Sequence, residues 1–420
     1  MNDMKQLLSK RGQANVKELP FLMHAHFSAL GDMFSEKNPD GHINLGTAEN
    51  RLIDQIMIDL LGKVHTRLKL TGENIHYNLF HGAEYFRKAI ADYWQKVWLG
   101  PDNQRKIDGK NIVVTCGCSE ALEMLAYGLC NPGEAILIPR PYYSGFVHDI
   151  QSRAGVIPVG VKCGTEMSVE AFEKALDEQK KKGLTVRAVL FSSPNNPLGH
   201  VYSEQAMKNV ISFCMANNLD IISDEIYAQT IYDPNVTWVS TLKLVPEEYK
   251  HRVHVTGGFA KDFTLSGFRV GFFHSYNSAL VNCGQEISYF SCVSSHTQAL
   301  LAELMRAPEL PEVIKTSKAE LYKAHNYVIA MLGRHGIKAT PGQAGIFILV
   351  DMRRYMKGDS PEAEIDLWRH LYEQYKINMS PGALFEAEDY GIFRICFAHP
   401  TNMMEELDKR FERLAQLNAA

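Results

Sequence analysis

The sequence predicts an α/β fold in which helices cover both faces of a mostly parallel sheet. Short apolar runs recur along the 420 residues, and longer amphipathic stretches separate several of them. Strands that alternate with helices form parallel sheets, because each helix carries the chain back to the start of the next strand. Ligands of such sheets bind beyond the carboxyl ends of the strands, so we expect the functional residues there.

Five apolar runs have the length and composition of buried strands. They are Asn111–Thr115, Ala135–Ile138, Ala188–Ser192, Asp220–Ser223 and Arg252–Thr256. Between them, Ser168–Lys182 and Ser203–Asn217 each begin at a serine that can cap a helix and carry apolar residues at helical spacing. A long helical pattern covers Ser278–Ala307, and another covers Glu405–Arg413 near the carboxyl end.

The composition is that of an ordinary globular protein and excludes several classes of function. Hydrophobic residues make up 45% and charged residues 22%, which excludes extended disorder. The 44 basic and 48 acidic residues nearly balance, so we expect no nucleic-acid partner and no membrane partner. No run approaches the roughly 18 apolar residues of a membrane helix. The first 20 residues carry both acidic and basic side chains and no continuous apolar run, which argues against a signal peptide.

The cysteines suggest a reducing compartment. The eight cysteines are scattered along the chain, and only Cys116 and Cys118 lie close together. A single Cys-x-Cys pair does not complete a tetrahedral metal site, so we expect no metal. Scattered cysteines without disulfide spacing indicate reduced thiols and a cytoplasmic protein.

The segment GFAKDFTLSGFRVG, residues 258–271, has the most distinctive chemistry. Lys261 follows a predicted strand, where a solvated surface lysine is the ordinary alternative, but its neighbours Ala260 and Phe263 indicate an interior position. Burial lowers the pKa of a lysine because it penalises the ammonium, and the neutral amine can form a Schiff base. Arg269, eight residues later, is suited to bind a phosphate with its planar guanidinium.

Two other strand ends carry polar residues that suit the same site. Asp224 directly follows a predicted strand, and Tyr227 comes three residues later in the run SDEIY. Asn196 lies in the run SPNNPLG, also directly after a strand. Taken singly, such an asparagine is usually part of a turn and such an aspartate is often a helix cap. Together with Lys261 they form a more specific pattern.

In this order and spacing, NNPLG, SDEIY and AKDFTLSGFRVG resemble the aspartate-aminotransferase-like family of pyridoxal-phosphate enzymes, fold type I. The resemblance implies that pyridoxal 5'-phosphate is the cofactor and that Lys261 binds it covalently, then moves protons at the substrate α-carbon. It implies catalytic roles for Asp224, which pairs with the pyridine nitrogen, and for Tyr227. Asn196 and Tyr227 bind the phenolic oxygen, Asn196 also faces the substrate, and Arg269 holds the phosphate.

The resemblance assigns further residues by their position. The phosphate site includes Gly117, Cys118 and Ser119, which leave a strand and begin an apolar helix with free N–H groups. Tyr143 is the aromatic residue expected to stack on the cofactor ring. Arg394, in the apolar run GIFRICF, is implied to bind the substrate α-carboxylate. A structural salt bridge remains the alternative for this arginine.

Three passages are most similar to the 1-aminocyclopropane-1-carboxylate synthase-like branch of the family: NLGTAEN at residues 44–50, PYYSGF at 141–146, and SGFRVG at 266–271. In that branch the glutamate of Ala-Glu-Asn lies in the active site, and Glu49 holds its position. A carboxylate there would orient the sulfonium of S-adenosylmethionine or another polar γ-substituent. The alternative for Glu49 is an acidic residue at the start of a helix.

The resemblance implies an enzyme that acts on an α-amino acid through an external aldimine and removes its α-proton. The expected reaction is γ-elimination with cyclisation, on S-adenosylmethionine or a similar γ-substituted amino acid. Two alternatives stay open: transamination of an amino acid to a 2-oxo acid, and a non-catalytic cofactor-binding regulatory module. The regulatory alternative fits less well, because the residues before Leu45 show no helix-turn-helix pattern.

The chain departs from the family pattern at positions that usually carry phosphate-binding hydroxyls. Phe80 stands in place of a tyrosine that crosses the dimer interface, and Gly258 and Ala260 stand in place of two serines. We therefore expect weaker cofactor retention or a substitute donor, for which His76, Tyr77 and His81 are the candidates.

The family also implies an architecture and an assembly. We expect an amino-terminal arm and part of the small domain at residues 1–50, a large cofactor-binding domain at 51–309, and a smaller α+β domain at 310–420. A homodimer with active sites at the interface is the expected assembly, and an amino acid is the expected small-molecule partner.

Overall fold

The computed structural model describes residues 2–16 and 21–417. Thirteen strands occur in these residues: β1 Ile43–Asn44, β2 Ile112–Thr115, β3 Ala135–Pro139, β4 Ile157–Val161, β5 Val186–Ser192, β6 Asp220–Asp224, β7 Val253–Gly258, β8 Gly271–Ser275, β9 Lys338–Thr340, β10 Phe347–Asp351, β11 Ile377–Asn378, β12 Ser380–Pro381 and β13 Ile392–Cys396. Seven of them form the central sheet, in the order β2-β8-β7-β6-β5-β3-β4. Only β8 runs antiparallel to its neighbours, so the prediction of a mostly parallel sheet and of its five strands is confirmed.

Sixteen α-helices are present in the described residues: α1 Asn2–Lys5, α2 Lys10–Ala14, α3 Phe21–Ala29, α4 Asp54–Arg67, α5 Gly72–Ile75, α6 Glu84–Trp94, α7 Cys118–Leu129, α8 Gly145–Gln151, α9 Val169–Lys181, α10 Glu204–Ala216, α11 Thr241–Leu244, α12 Ser278–Ile287, α13 Ser295–Arg306, α14 Leu310–Arg334, α15 Pro361–Tyr375 and α16 Thr401–Leu417. The predicted serine caps are confirmed, since Ser168 accepts a hydrogen bond from Ala171 N–H and Ser203 accepts one from Ala206 N–H. Helix α16 contains the helical pattern predicted over Glu405–Arg413 and buries Leu407, Phe411 and Leu414 on one face.

The prediction of one long helical stretch over Ser278–Ala307 is wrong. The chain forms α12, then a short 3₁₀ turn at Ser288–Phe290, and then α13. The second helix restarts at Ser294, whose hydroxyl accepts a hydrogen bond from Thr297 N–H. A serine that can satisfy a free N–H group favours a new helix start over continuation, and the apolar periodicity alone did not reveal this break.

Two smaller sheets lie outside the central one. One is the four-stranded sheet β12-β13-β10-β9, and the other pairs β1 in parallel with β11. Thus Ile43 and Asn44, from the start of the chain, are held by Ile377 and Asn378 near its end. An apolar cluster between these sheets, α14 and α16 includes Ile348, Phe393 and Phe411. The division of the chain at residues 50 and 309 stays a prediction.

The central sheet brings the predicted polar residues to one edge. The parallel strands β5, β6 and β7 are adjacent, and their register pairs Ser192 with Asp224 and Asp224 with Thr256. The chain after each of these carboxyl ends carries Asn196, Tyr227 or Lys261. No helix within residues 2–16 and 21–417 is long and apolar enough to cross a membrane.

Candidate active site

A cavity of about 310 Å³ opens at the carboxyl edge of the central sheet, beside the four-stranded sheet. Nine of the predicted site residues line it: Cys118, Ser119, Tyr143, Asn196, Asp224, Tyr227, Lys261, Arg269 and Arg394. Gly117 and Glu49 do not line it. The wall therefore combines one lysine and two arginines with residues at or just after the carboxyl ends of five strands, β2, β3, β5, β6 and β7.

Lys261 lies in the turn after β7, and its Nζ donates a hydrogen bond to the Ala48 carbonyl oxygen at 2.5 Å. Burial, followed by the positive charge of Arg394, lowers the pKa of Lys261 to about 8, although the negative charge of Glu49 acts in the opposite direction. An amine with this pKa is partly neutral at physiological pH and can act as a nucleophile or a base. The structure thus places the lysine in a site that favours its neutral form.

Asp224 ends β6 and is buried, with 5% of its surface exposed. Burial raises its pKa to about 6, although the Thr256 hydroxyl, the Ile226 N–H and the charge of Lys261 favour the carboxylate. The Thr256 hydroxyl donates to Asp224 Oδ1 at 2.7 Å. Asp224 is therefore ionised at neutral pH and fixed in place, so it can stabilise a buried cation such as a protonated ring nitrogen.

Asn196, Tyr227 and Tyr143 come from three different loops and face the same cavity. The Asn196 N–H donates to the Ser192 hydroxyl oxygen at 3.1 Å, which fixes the turn after β5. Burial raises the pKa of Tyr227 far above its ordinary value and that of Tyr143 to about 12, so both phenols stay protonated and can donate hydrogen bonds.

The start of α7 and Arg269 together form a concave anion site. Gly117 precedes α7 with φ +91°, and a Cβ atom there would lie 2.5 Å from Arg269 Nη2. A Cβ at Gly271 would lie 2.5 Å from the Cys118 nitrogen, so the close contact between the start of β8 and the start of α7 also requires glycine. Helix N-termini and guanidinium groups both favour phosphate. The residues present therefore fit the phosphate group of the cofactor that the sequence implies.

Arg394 lies on β13 and is buried, with 3% of its surface exposed. Its Nη1 donates to Asn196 Oδ1 at 3.2 Å, and its Nη2 donates to the Gly46 carbonyl oxygen at 2.5 Å. Across residues 2–16 and 21–417 no carboxylate lies within 4 Å of this guanidinium, and its Nε is buried without a partner. A structural salt bridge does not account for this arginine, which is suited to bind a carboxylate ligand.

Glu49 lies behind the cavity wall rather than in it. Its Oε1 accepts a hydrogen bond from the Ser266 hydroxyl at 3.0 Å, and its Oε2 accepts one from Arg51 Nη2 at 3.0 Å. Ser266, not Glu49, faces the cavity. The predicted contact of Glu49 with substrate therefore stays a prediction, and in this structure it would act through Ser266.

The positions that lack phosphate-binding hydroxyls have specific surroundings. The Phe80 ring packs edge-on against Tyr289, with centroids 5.3 Å apart. A Cβ at Gly258 would lie 3.0 Å from Cys118 Sγ, which itself donates to the Gly257 carbonyl oxygen at 3.0 Å. Cys118 thus fills the space that a serine at position 258 would need.

The three candidate substitute donors, His76, Tyr77 and His81, do not line the cavity in this structure. Tyr77 is 97% exposed, and His76 is exposed as well. Burial, followed by the charge of Arg87, lowers the pKa of His81 to about 4, so it is neutral. Their role as phosphate donors stays a prediction that depends on a partner subunit.

Sequence reasoning missed four residues of the site: Asp149, Ser266, His26 and Thr256. Asp149 lines the cavity, and burial raises its pKa to about 7. Its position on α8 next to Ile150 is the signal that was available, because a carboxylate in an apolar helix turn is unusual. His26 reaches the cavity from α3, and its Nδ1 lies 2.8 Å from Thr47 Oγ1, a contact that no local pattern indicates.

The comparisons with known proteins agree with this geometry. The chain matches the family "Aminotransferase class I and II" over residues 40–411. It is 36% identical over 403 residues to 1-aminocyclopropane-1-carboxylate synthase 5 of Oryza sativa subsp. japonica, covering 90% of this chain and 74% of that protein. It is 31% identical over 424 residues to the 1-aminocyclopropane-1-carboxylate synthase of Glycine max, covering 96% and 87%.

Solved structures share the fold. Aspartate aminotransferase from Thermus thermophilus with maleate superposes with a TM-score of 0.80 at 20% identity, covering 97% of this chain and 99% of that one. Aspartate aminotransferase from Rhizobium meliloti gives 0.80 at 19% identity, covering 97% and 98%. The predictions of the family, the fold class and the cofactor are confirmed. The chain belongs to the class I and II aminotransferase family and is a pyridoxal-phosphate-dependent enzyme.

Proposed function

We propose that the chain removes the α-proton of an amino acid that carries a γ-substituent, and that loss of this substituent closes a small ring. The names of its relatives, 1-aminocyclopropane-1-carboxylate synthases, support this reaction over others in the family. One observation carries the proposal: the same cavity is lined by Lys261, an amine whose pKa is lowered, and by Arg394, a buried guanidinium with no carboxylate partner among the described residues. S-adenosylmethionine or a similar amino acid is the proposed substrate.

Arg394 would orient the substrate by its α-carboxylate. Its guanidinium lies between the Phe347 ring, 5.4 Å from the centroid, and the Phe385 ring, 4.8 Å away. Both rings make cation–π contacts with the guanidinium, and its planar fork of donors is the group that pairs with a carboxylate in bidentate fashion. The α-carbon of a substrate held there would face the Lys261 side of the same cavity.

Lys261 would move the proton at the α-carbon. Bound pyridoxal phosphate withdraws electrons from that carbon and so makes its proton acidic. A base is most effective when its pKa lies near the working pH, and burial brings the pKa of Lys261 to about 8. Asp224, ionised and held by Thr256, would balance positive charge at the ring nitrogen.

The remaining residues would hold the cofactor without taking part in proton transfer. The start of α7, with Ser119 and Arg269, would bind the phosphate, and Tyr143 would pack against the ring. Tyr227 and Asn196 would donate to the phenolic oxygen, because both line the cavity next to Asp224. The family resemblance implies these roles, and the presence of the residues in one cavity supports them.

We also propose a homodimer. The Phe80 ring contacts Tyr289, and the two segments that meet there carry exposed apolar side chains: Ile75, Tyr77 (97% exposed), Leu79, Tyr289 and Phe290 (78% exposed). Clustered exposed aromatic side chains of this size mark interfaces. The family supports a second copy of the same chain as the partner.

We propose a cytoplasmic location as well, because the eight cysteines are all free in the described residues and free thiols suit a reducing compartment.

Transamination is the second candidate. The observation that favours it is the position of Glu49, which lies behind Ser266 instead of on the cavity wall. A carboxylate beside the γ-substituent would favour elimination of that substituent. Without one, the site favours elimination less strongly over transfer of the proton to the cofactor, which is the step that leads to transamination. The two reactions share Lys261 and Arg394, so the products must separate them.

The holoenzyme should be incubated with S-adenosylmethionine and, separately, with a panel of amino acids. The proposal predicts a cyclised amino acid and a released thioether, with no 2-oxo acid and no loss of the aldehyde form of the cofactor. Formation of a 2-oxo acid together with the amine form of the cofactor would support transamination instead. Release of none of these products from any amino acid would contradict both.

A further inference from the structure

His26 is held on the cavity wall by one of its two ring nitrogens. It lies on α3 and lines the cavity. Its Nδ1 lies 3.0 Å from Asn44 Nδ2 and 2.8 Å from Thr47 Oγ1. Within residues 2–16 and 21–417 no hydrogen bond is made by its Nε2. One side of the imidazole is therefore anchored, and the other nitrogen is available to a ligand.

The amides behind His26 fix which ring nitrogen carries the proton. Asn44 Oδ1 accepts hydrogen bonds from the Gly46 N–H at 3.1 Å and from Asn378 Nδ2 at 3.0 Å. Asn378 is oriented in turn, because its Oδ1 accepts from Trp368 Nε1 at 3.1 Å and an indole N–H only donates. Asn44 Nδ2 is thus an amide donor, so Nδ1 of His26 must accept. The ring proton is therefore on Nε2, and the imidazole is an uncharged donor.

The segment that anchors His26 also holds the two ends of the substrate site. Residues 44–48 contain Asn44 and Thr47, which contact His26. The Gly46 carbonyl oxygen accepts from Arg394, and the Ala48 carbonyl oxygen accepts from Lys261. Five consecutive residues therefore fix the positions of the proposed carboxylate-binding group, the proposed base and His26 relative to one another.

Two apolar side chains of α3 lie beside His26 in the same wall. Met23 and Phe27 both line the cavity, and about half of each residue is exposed. The Phe27 ring lies edge-on to the His26 ring, with centroids 5.4 Å apart. Being half-exposed, they form a rim where a bulky γ-substituent would leave the cavity. Apolar surface next to an uncharged N–H donor suits a flat heterocyclic group with acceptor atoms on its edge.

We propose that α3 recognises the γ-substituent of the substrate. The Nε2–H group of His26 donates a hydrogen bond to an acceptor atom of this substituent, and Met23 and Phe27 pack against its apolar face. A nucleoside offers both features, through its ring nitrogens and ribose oxygens and through the face of its base. His26 is then a specificity-determining residue. The inference rests on the proposed function and names the adenosyl group as the part of S-adenosylmethionine that α3 selects.

Binding of two sulfonium amino acids to the holoenzyme tests this selection. S-adenosylmethionine and S-methylmethionine share the amino acid and the positive sulfur, and only the first carries a nucleoside. The charged residues of the cavity wall act on both alike, so their effect cancels in the ratio of the two dissociation constants. These residues are Lys261, Arg269, Arg394, Asp149 and Asp224. Stopped-flow absorbance of the cofactor, read before turnover, gives both constants. We expect the wild type to bind S-adenosylmethionine at least about tenfold more tightly.

Two variants of His26 separate its donor from its anchor. His26→Asn keeps an acceptor near the Nδ1 position for Asn44 but has no donor at the Nε2 position, so the preference should fall about fivefold to tenfold. His26→Gln places an amide N–H near the Nε2 position, and its preference should stay within about threefold of the wild-type value.

His24→Asn is the matched control. His24 lies on the same helix but is exposed, and it does not line the cavity. Its side chain contacts Ser28 on α3 itself, with Nδ1 3.5 Å from the Ser28 hydroxyl oxygen. The preference of this variant for S-adenosylmethionine should equal that of the wild type.

Equal binding of the two amino acids by the wild type would overturn the inference. So would a preference that His26→Asn changes by less than about twofold. Equal losses in His26→Asn and His26→Gln would assign the effect to the way α3 is held and would also overturn it. If neither amino acid changes the absorbance of the wild-type holoenzyme, the proposed function itself fails, and the inference fails with it.

Discussion

The two ends of the cavity are built in different ways. At the cofactor end, Asp224, Asn196 and Lys261 follow adjacent strands whose register places them side by side. At the substrate end, Arg394 binds the carbonyl of Gly46, 348 residues away in sequence. A single sheet thus fixes the first end, whereas contacts between remote segments fix the second. We expect the substrate end to change specificity without loss of the cofactor, and each prediction below tests this separation.

Lys261→Ala should have the largest effect, because Lys261 serves both ends. The variant loses its covalent bond to the cofactor and its proton carrier, and turnover should fall about a thousandfold or more. Visible absorbance after gel filtration and product formation measure the two losses. Lys318→Ala is the control, since Lys318 is also partly buried but lies outside the cavity. Equal loss in both variants would contradict the role of Lys261.

Arg394→Lys should damage the substrate end alone. Lysine keeps the charge but loses the planar pair of donors, so we expect kcat/KM for amino acids to fall roughly 30-fold to 1,000-fold. Cofactor affinity should stay within about twofold of the wild-type value, because the phosphate site and Asp224 are unchanged. A comparable loss of cofactor would mean that the two ends are coupled, against the separation.

The pH dependence of covalent cofactor binding shows how far the charge of Arg394, at the substrate end, lowers the pKa of Lys261. Lys261 reacts as the neutral amine, so the rate at which apoenzyme binds the cofactor covalently should rise as pH increases through about 8 and level off above it. After burial, the charge of Arg394 is the next cause of the low pKa. In Arg394→Gln the pKa should therefore rise, and stopped-flow absorbance should show the curve moved to higher pH. An unmoved curve would mean that the charge of Arg394 does not contribute to the low pKa of Lys261.

The same division explains what could be predicted from the sequence. Lys261, Asp224 and Asn196 were found because each follows a recognisable strand, and a parallel sheet brings strand ends together. The Ser266–Glu49 contact spans 217 residues and joins a loop to the start of the chain, and no local pattern encodes it. The break between α12 and α13 was missed for a related reason, since periodicity reports an apolar face but not the serine that restarts a helix.

Gly117→Ala tests the cofactor end without the substrate end. The Cβ atom would lie 2.5 Å from Arg269 Nη2 and would push the guanidinium out of the anion site, so the cofactor dissociation constant should rise about tenfold. Gly133→Ala is a matched control, because Gly133 has a similar φ of +86° but open space around it. Both should lose about 1 kcal/mol of folding stability or more from the backbone strain. A similar rise of the cofactor dissociation constant in Gly133→Ala would mean that backbone strain, and not displacement of Arg269, causes the effect.

The smallest effect concerns Gly258 and Cys118, where the chain departs from the serine that the family pattern has. Gly258→Ser alone should lower the free energy of unfolding by about 1–3 kcal/mol, because its Cβ would lie 3.0 Å from Cys118 Sγ. Cys118→Ala removes that sulfur, so the double variant should recover most of the loss and gain a hydroxyl near the phosphate site. Urea unfolding and cofactor titration of both single variants and the double variant measure this coupling.

Additive losses would mean that the backbone contacts of Gly258 with Val270 and Gly271, at 3.1 and 3.2 Å, set the requirement for glycine. In that case the missing hydroxyl would be a consequence of how tightly β7 and β8 pack, and Cys118 would occupy the space without having caused the substitution.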